Sequence, residues 1–438
     1  MGKKGGKKVK SSGLDTLGDL TSELFKTLPP IKRADLTKVV EKLSNVTANM
    51  KSEPSSPAKL WEEYKEISAL VDKIREIEGG HSMCRTLPDR KAAIKPFLSW
   101  ITELGAVIDG VEVADFGEHG LGLRVTKDIK QGEEVIRVPQ KAMMSVDTAK
   151  ASSIGTLIEK DPLLQTMPNV VLAVHLLIER NSPASIWEPY INTLPHSYTT
   201  VLYYTTEQFE QLRGSPALED ALKQYKFVAR QYAYFYRLFA NTLLKDYLTY
   251  DEYRWAVSTV MTRQNLVPGR EDADTAVNTL IPLWDLANHD NGVLSTDYDP
   301  AAPATLCLAH KDFQLGEEFT IFYGVRANCD LLIHNGFVFP ASENDCVTVK
   351  LGVAKTGDPL SAARLQLLEK LKIFSHKFFL NATPEPLDGK LVAFVRVLQM
   401  EQEALEEYSN MNPDEATKLL DINVGHKDTS NSPHHTFF

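Results

Sequence analysis

The sequence predicts an α+β protein: a β-fold split into two blocks of strands by a long helical insert, then an all-helical C-terminal part. Three observations lead there. Short apolar or period-two runs broken by Gly and Asp cluster between about 105 and 150, and strand signals return near 306–323. Between the blocks, residues 150 to 280 read mostly helical, and after about 345 helical spacing resumes. Strands and helices do not alternate as in a doubly wound fold, and no internal repeat is visible.

The elements follow in order. Residues 1–54 read as a basic, disordered tail, with Lys3, Lys4, Lys7, Lys8 and Lys10 lacking any apolar periodicity. A solvated end is the plain reading; a nuclear-import or acidic-partner patch is the other. Ser55-Ser56-Pro57 opens a helical segment, 55–104, because a serine cap and an early proline suit the orphan amides of a first turn. Leu60, Trp61, Tyr64, Ile67, Leu70, Val71, Ile74 and Ile77 then mark one buried face, and Gly79-Gly80 ends it. Residues 105–344 form the split β domain, with strands at 111–113, 121–125, 134–139, 306–308 and 318–323. Its insert, 150–280, holds helices at Val170–Arg180, Tyr225–Leu238 and Tyr250–Thr262. Residues 345–424 form a partial helical domain, and 425–438 a polar tail. His426, His434 and His435 in that tail lack a carboxylate or cysteine at ligand spacing, so no metal site is expected.

Composition narrows the function classes. Hydrophobic residues are 43% and charged residues 24% of 438, ordinary for a globular chain. A net charge of −10 disfavours nucleic acid and anionic membrane as direct partners. Cys84, Cys307, Cys329 and Cys346 form no CxxC pair, which fits a reducing compartment. No apolar run reaches the roughly 18 residues needed to span a bilayer. The expected location is the cytoplasm, with nuclear entry open to it.

Three segments carry chemistry. Glu118-His119-Gly120-Leu121-Gly122 leads into a strand rather than a helix, so it is a hairpin turn or a place for close backbone approach to a ligand. Leu283-Trp284-Asp285-Leu286-Ala287-Asn288-His289 puts Asn and His, which both donate and accept, directly after an apolar run. They form either a satisfied core pair or a contact for an adenine edge. Gly316-Glu317-Glu318-Phe319-Thr320-Ile321-Phe322-Tyr323-Gly324 ends a strand on an aromatic hydroxyl.

In this order and spacing, the three segments resemble the signature of SET-domain protein methyltransferases. The resemblance is to the branch with a Rubisco-methyltransferase-like substrate-binding domain, here shortened. It is strongest to members that methylate a histidine of actin, through Trp61-Glu62-Glu63-Tyr64, Arg230 to Tyr236, Tyr253 to Ser258, Met261 to Asn265 and Ile281 to Asp285. The resemblance implies S-adenosyl-L-methionine as cofactor and actin as protein partner. Matching positions imply cofactor contacts at Arg90, His119, Gly120, Leu121, Asn169, Arg263, Asp285, Leu286, Ala287, Asn288, His289, Tyr323, Asn335, Gly336 and Phe337. Arg90 or Arg263 would fork onto the cofactor's carboxylate. His119 and Leu121 stand where the family has an acidic and an aromatic residue, and Asn335 replaces a Ser-type residue. The Cys and Pro that follow Asn-His in histone-directed members are absent, as are their zinc cysteines.

For the reaction, the resemblance implies Tyr323, Asn265 and Asp285 in catalysis and Asn265, Trp284 and Arg326 at the substrate. Asn265 would hold the imidazole nitrogen that does not attack, and a main-chain carbonyl near Asp285 would take a ring proton. The plainer role for Asn265 is a helix-ending cap before Pro268. The readings left open are histidine transfer at the tele nitrogen, lysine transfer on the same fold, and a non-catalytic binding form.

Overall fold

The computed structural model describes residues 28–48, 56–79, 84–270, 272, 274–354, 357–383 and 386–422. The lysine cluster at 3–10 and the histidines at 426, 434 and 435 lie outside them. Two units divide the chain: residues 1–324 with 329–338, and 325–328 with 339–438.

The first unit opens with a departure from the expected tail. Pro30–Ala48 is a 19-residue helix, α1, burying Leu36, Val40, Leu43 and Thr47. Its apolar positions recur every three or four residues, but charged neighbours hide them in composition. It packs on helix α2 (Pro57–Glu78) and on the later helix α10 (Ala217–Leu238). Arg33 pairs with Asp246 at 2.5 Å, and Thr37 meets the Tyr236 hydroxyl at 3.1 Å. Helix α2 starts where expected, its Ser56 cap accepting from the Lys59 amide. Helix α3 (Arg90–Glu103) follows, capped by Asp89.

Strands β1 (Val107–Ile108), β2 (Val111–Asp115), β3 (Leu121–Val125), β4 (Glu134–Pro139) and β5 (Met144–Ser145) form the first block. Short helices α4 (Val146–Lys150), α5 (Gly155–Lys160) and α6 (Pro162–Thr166) lead into α7 (Pro168–Asn181), α8 (Glu188–Ile191), α9 (Thr206–Gln211), α10 and α11 (Tyr250–Arg263). The insert expected to run to 280 is helical only to Arg263. Strands β6 (Gln264–Pro268) and β7 (Ala276–Leu280) then form an antiparallel hairpin, pairing Asn265 with Thr279. Five-residue strands give too little alternation to stand out beside long helices. Strands β8 (Asn288–His289), β9 (Thr296–Asp299), β10 (Ala304–Leu308) and β11 (Glu318–Ile321) complete three sheets, ordered β1-β4-β10-β9, β2-β3-β11-β8 and β5-β7-β6. Pairing is antiparallel except between β8 and β11. Among the described residues no helix is long and apolar enough to cross a membrane.

The second unit has its own core, with Leu367, Leu368, Phe378, Phe394 and Val397 buried. Helices Ser361–Lys370, Gly389–Gln399 and Gln402–Asn410 build it. The all-helical expectation is corrected here: strands β12 (Cys346–Lys350) and β13 (Lys377–Asn381) pair antiparallel. They lie 27 residues apart, so no local turn signal announced them.

One buried acid makes stability pH-dependent. Glu78 ends α2 inside the core, accepting from the Tyr232 hydroxyl and the Tyr250 amide. Burial pushes its carboxyl up to about 8, with those two donors pulling the other way. The folded protein therefore binds this proton more tightly than the unfolded chain. Its contribution is complete below about pH 4.5 and is lost as pH rises through 8. The urea midpoint should fall between pH 5 and 8, and Glu78→Gln should flatten that slope; an unchanged slope in the variant would assign it elsewhere.

Candidate active site

The site is built on the stretch that leaves β7. Leu283 is fully buried at φ 73°, ψ −52°, a backbone state that costs a non-glycine residue about 1–3 kcal/mol. The turn it makes starts the short helical turn Trp284–Leu286, with Trp284 and Leu286 in the core.

Asp285 faces a buried polar network. Its Oδ2 accepts from the Tyr190 hydroxyl at 2.7 Å. Arg263, the last residue of α11, donates from Nη1 to the Asp285 main-chain oxygen at 2.5 Å and lies 3.3 Å from Oδ2. Burial alone would disfavour the Arg263 charge, but Asp285, then Tyr198 and Tyr190, more than offset this and hold the guanidinium protonated. Tyr198 itself donates to Thr259 at 2.8 Å. Arg90 donates from Nε to the Thr193 carbonyl at 2.7 Å. Its pKa is held down, first by burial and then by the like charge of Arg263. Asp285 pairs with Arg263 and acts on Arg90 only as a weaker, longer-range charge, and among the described residues Arg263 Nε, buried, has no hydrogen-bond partner. A site with this surplus of positive charge suits an incoming anionic group such as a carboxylate.

The other side of the same stretch meets an aromatic wall. Tyr323 donates its hydroxyl to the Ala287 carbonyl at 2.8 Å, and its amide to His289 Nδ1 at 3.3 Å. The His289 ring lies 5.1 Å from Tyr323, 5.8 Å from Phe322 and 6.1 Å from Phe337, centroid to centroid. Asn335 donates to the Thr262 carbonyl at 3.5 Å from a π-helical turn, Leu331–Asn335, that ends on Gly336. A Cβ at Gly336 would sit 2.8 Å from the Thr199 and Thr200 backbone, so this close approach requires glycine.

Glu318 ties in the glycine segment. Its Oε1 accepts from Asn288 at 2.6 Å, and its Oε2 lies 3.5 Å from His119 Nδ1. Gly122 lies under this junction. A Cβ there would come within 2.6 Å of Glu318, 2.9 Å of Phe116 and 3.0 Å of Asn288. By contrast, Gly120, at φ 73°, has open space where a Cβ would stand. Gly122→Ala should cost about 1–3 kcal/mol in chemical denaturation through the forced shift of Glu318 first, then of Phe116 and Asn288. A variant as stable as the parent would show that the junction yields freely.

Next to this stretch lies an open cleft with about 550 Å³ of empty space, bounded by Asn265, Trp284, Tyr298 and Thr305 among others. The Asn265 amide donates to the Arg263 carbonyl at 3.1 Å. Arg263 and Tyr323 therefore grip main-chain oxygens two residues apart, at Asp285 and Ala287, and Asn288 and His289 follow directly.

Two of the sequence-derived residues take no part in the contacts just described. Asn169 lies in the first turn of α7, and among the described residues no hydrogen bond joins it to the cluster. Arg326 belongs to the second unit. The Asp285 side chain is buried and paired, so it braces the stretch instead of facing a reactant. Arg263 is held behind it in the same way. The sequence reading missed Tyr190 and Tyr198, which nothing local distinguishes from core tyrosines, and gave no role to Glu318 although it singled out the segment that contains it.

Residues 120–324 match the SET domain family, and residues 355–433 the Rubisco LSMT substrate-binding family. The mouse actin-histidine N-methyltransferase is 42% identical over 416 residues, covering 93% of this chain and 67% of the mouse protein. The human protein of the same name is 43% identical over 387 residues, covering 86% and 64%. The chain spans about two thirds of the length of these curated relatives. The fold is also that of the SET domain of LSMT bound to lysine and AdoHcy, at TM-score 0.60, 21% identity and 77% coverage of both chains. Rubisco LSMT bound to AdoMet gives TM-score 0.60 at 22% identity over 75% of each chain.

Proposed function

The chain belongs to the SET-domain actin-histidine N-methyltransferase family, and from that membership we propose that it methylates a histidine of actin at the imidazole nitrogen distal to the main chain, with S-adenosyl-L-methionine as donor. The observation that carries this reading is the single stretch Asp285–His289. It is held by a buried charged network through Arg263 and by an aromatic group around Tyr323 and His289, with an open cleft beside Trp284. The cofactor supplies an electrophilic sulfonium methyl. Arg90, with Arg263 behind it, would hold its carboxylate, and the backbone around Asn288 and His289, with Phe337, its adenine.

The chain's own groups then need only to align a neutral nucleophile. An imidazole, with a reference pKa of ~6.5, is mostly neutral at pH 7, whereas neutralising a lysine of pKa ~10.4 costs about 4.6 kcal/mol. Asn265 spends one amide proton on the Arg263 carbonyl, which leaves its side-chain oxygen to accept an imidazole N–H. An imidazole held that way presents the lone pair of its other nitrogen. The Tyr323 hydroxyl gives its proton to Ala287, so only its lone pairs remain to face the reacting groups. The proposal extends to the cytoplasm as location, with entry to the nucleus.

Asn265→Phe should lower histidine methylation about tenfold or more, the value of a lost polar contact plus a filled cleft, with cofactor affinity nearly intact. Wild-type turnover on an actin peptide would remove Asn265 from the mechanism. The function itself is tested with isotope-labelled S-adenosylmethionine and purified actin, followed by mapping of the modified residue. Label on a histidine supports it. Label on lysine, or cofactor binding with no transfer, would replace it with lysine transfer or a non-catalytic form.

A further inference from the structure

Strand β8 is only two residues long, and its pairing with β11 is parallel, the weaker kind. Asn288 lies in register with Thr320 and His289 with Ile321. So short a ladder holds this end of the Asp285–His289 stretch poorly by itself. The other end is anchored by Arg263 on the Asp285 carbonyl, and the middle by Tyr323 on the Ala287 carbonyl. At Asn288 the anchor is a side chain from two residues earlier on β11. Glu318 Oε1 accepts from the Asn288 amide at 2.6 Å. The bond is charge-assisted, and so of the stronger class. It is also sheltered, with the Glu318 side chain 17% exposed. Glu318 is itself fixed, because β11 pairs with β3 at Arg124 and the carboxylate packs over Gly122. The second carboxylate oxygen lies 3.5 Å from His119, a ring exposed enough that this contact adds little.

We propose that Glu318 is a positioning residue for S-adenosyl-L-methionine: by fixing Asn288 it sets the backbone that receives the adenine. This rests on the cofactor assignment above. Glu318 acts through Asn288 and need not touch the cofactor. What matters is then its reach and its acceptor oxygen. A glutamine oxygen can take the same N–H, whereas an aspartate, one methylene shorter, falls about 1.5 Å short. The rival account is a field effect, in which the carboxylate attracts the cofactor's sulfonium from a distance. That account reverses the order, since aspartate keeps the charge and glutamine loses it.

Calorimetric titration of S-adenosylmethionine into the full chain separates the two. Glu318→Asp should bind about tenfold more weakly than the parent, and Glu318→Gln within about threefold of it. In an Asn288→Ala background, Glu318→Asp should cost almost nothing further, because the partner is gone. A second measurement uses the cofactor-free chain: amide hydrogen exchange across 285–289 should quicken in Glu318→Asp and stay parental in Glu318→Gln. Parental affinity in Glu318→Asp would overturn the proposal. So would a loss in Glu318→Gln as large as in Glu318→Asp, a full loss retained beside Asn288→Ala, or unaltered exchange. If the parent binds no cofactor, the exchange pattern decides. Quickening confined to Glu318→Asp would then keep Glu318 as the anchor of Asn288 and sink the cofactor assignment instead.

Discussion

Tyr323→Phe is expected to slow methyl transfer about a hundredfold, the usual effect of misplacing a reacting group by an ångström. The phenylalanine keeps the ring packing on His289 and Phe337 but loses the 2.8 Å bond to the Ala287 carbonyl. That bond fixes where the hydroxyl lone pairs point and braces the stretch before Asn288. Cofactor affinity should change little, because the charged flank at Arg90 and Arg263 is untouched. Single-turnover rates with saturating peptide, beside calorimetric cofactor binding, separate the two effects. A parental rate with weakened cofactor binding would move Tyr323 from the reacting centre to the cofactor wall.

The second large effect falls on stability. Asp285→Ala leaves Arg263 buried at 15% side-chain exposure with its neutralising partner gone. Breaking one member of a buried pair costs about 3–5 kcal/mol. Arg263→Ala should be costly too, while the double variant should lose less than the sum of the two. Both singles should also weaken the cofactor, since the Asp285–His289 backbone is held by this pair. Additive losses in urea denaturation would show that the two residues act independently. Arg263 is thus a positioning residue whose effect on the cofactor passes through Asp285.

Much of this was legible from residues alone. The serine-capped α2 face, the strands at 121–125 and 134–139, and the order Gly-x-Gly, Asn-His, Glu-Glu to Tyr-Gly all follow from local periodicity and spacing. Helix α1 was not, because its four buried positions are diluted by lysine and glutamate and gain their stability from α2 and α10. The pair β12–β13 was missed for a related reason: its partners lie far apart in the chain.

What the residue order determined by itself was the kind of protein, since covalent spacing fixes which strands, caps and motifs can exist. What tertiary structure alone decided was the division of labour among those residues. Asp285 and Arg263 neutralise each other behind the backbone, Tyr190 joins the site unannounced, and Glu318 turns out to tie Asn288 to the glycine segment. Burial and charge partnership depend on residues brought together from remote parts of the chain, and no local pattern encodes them.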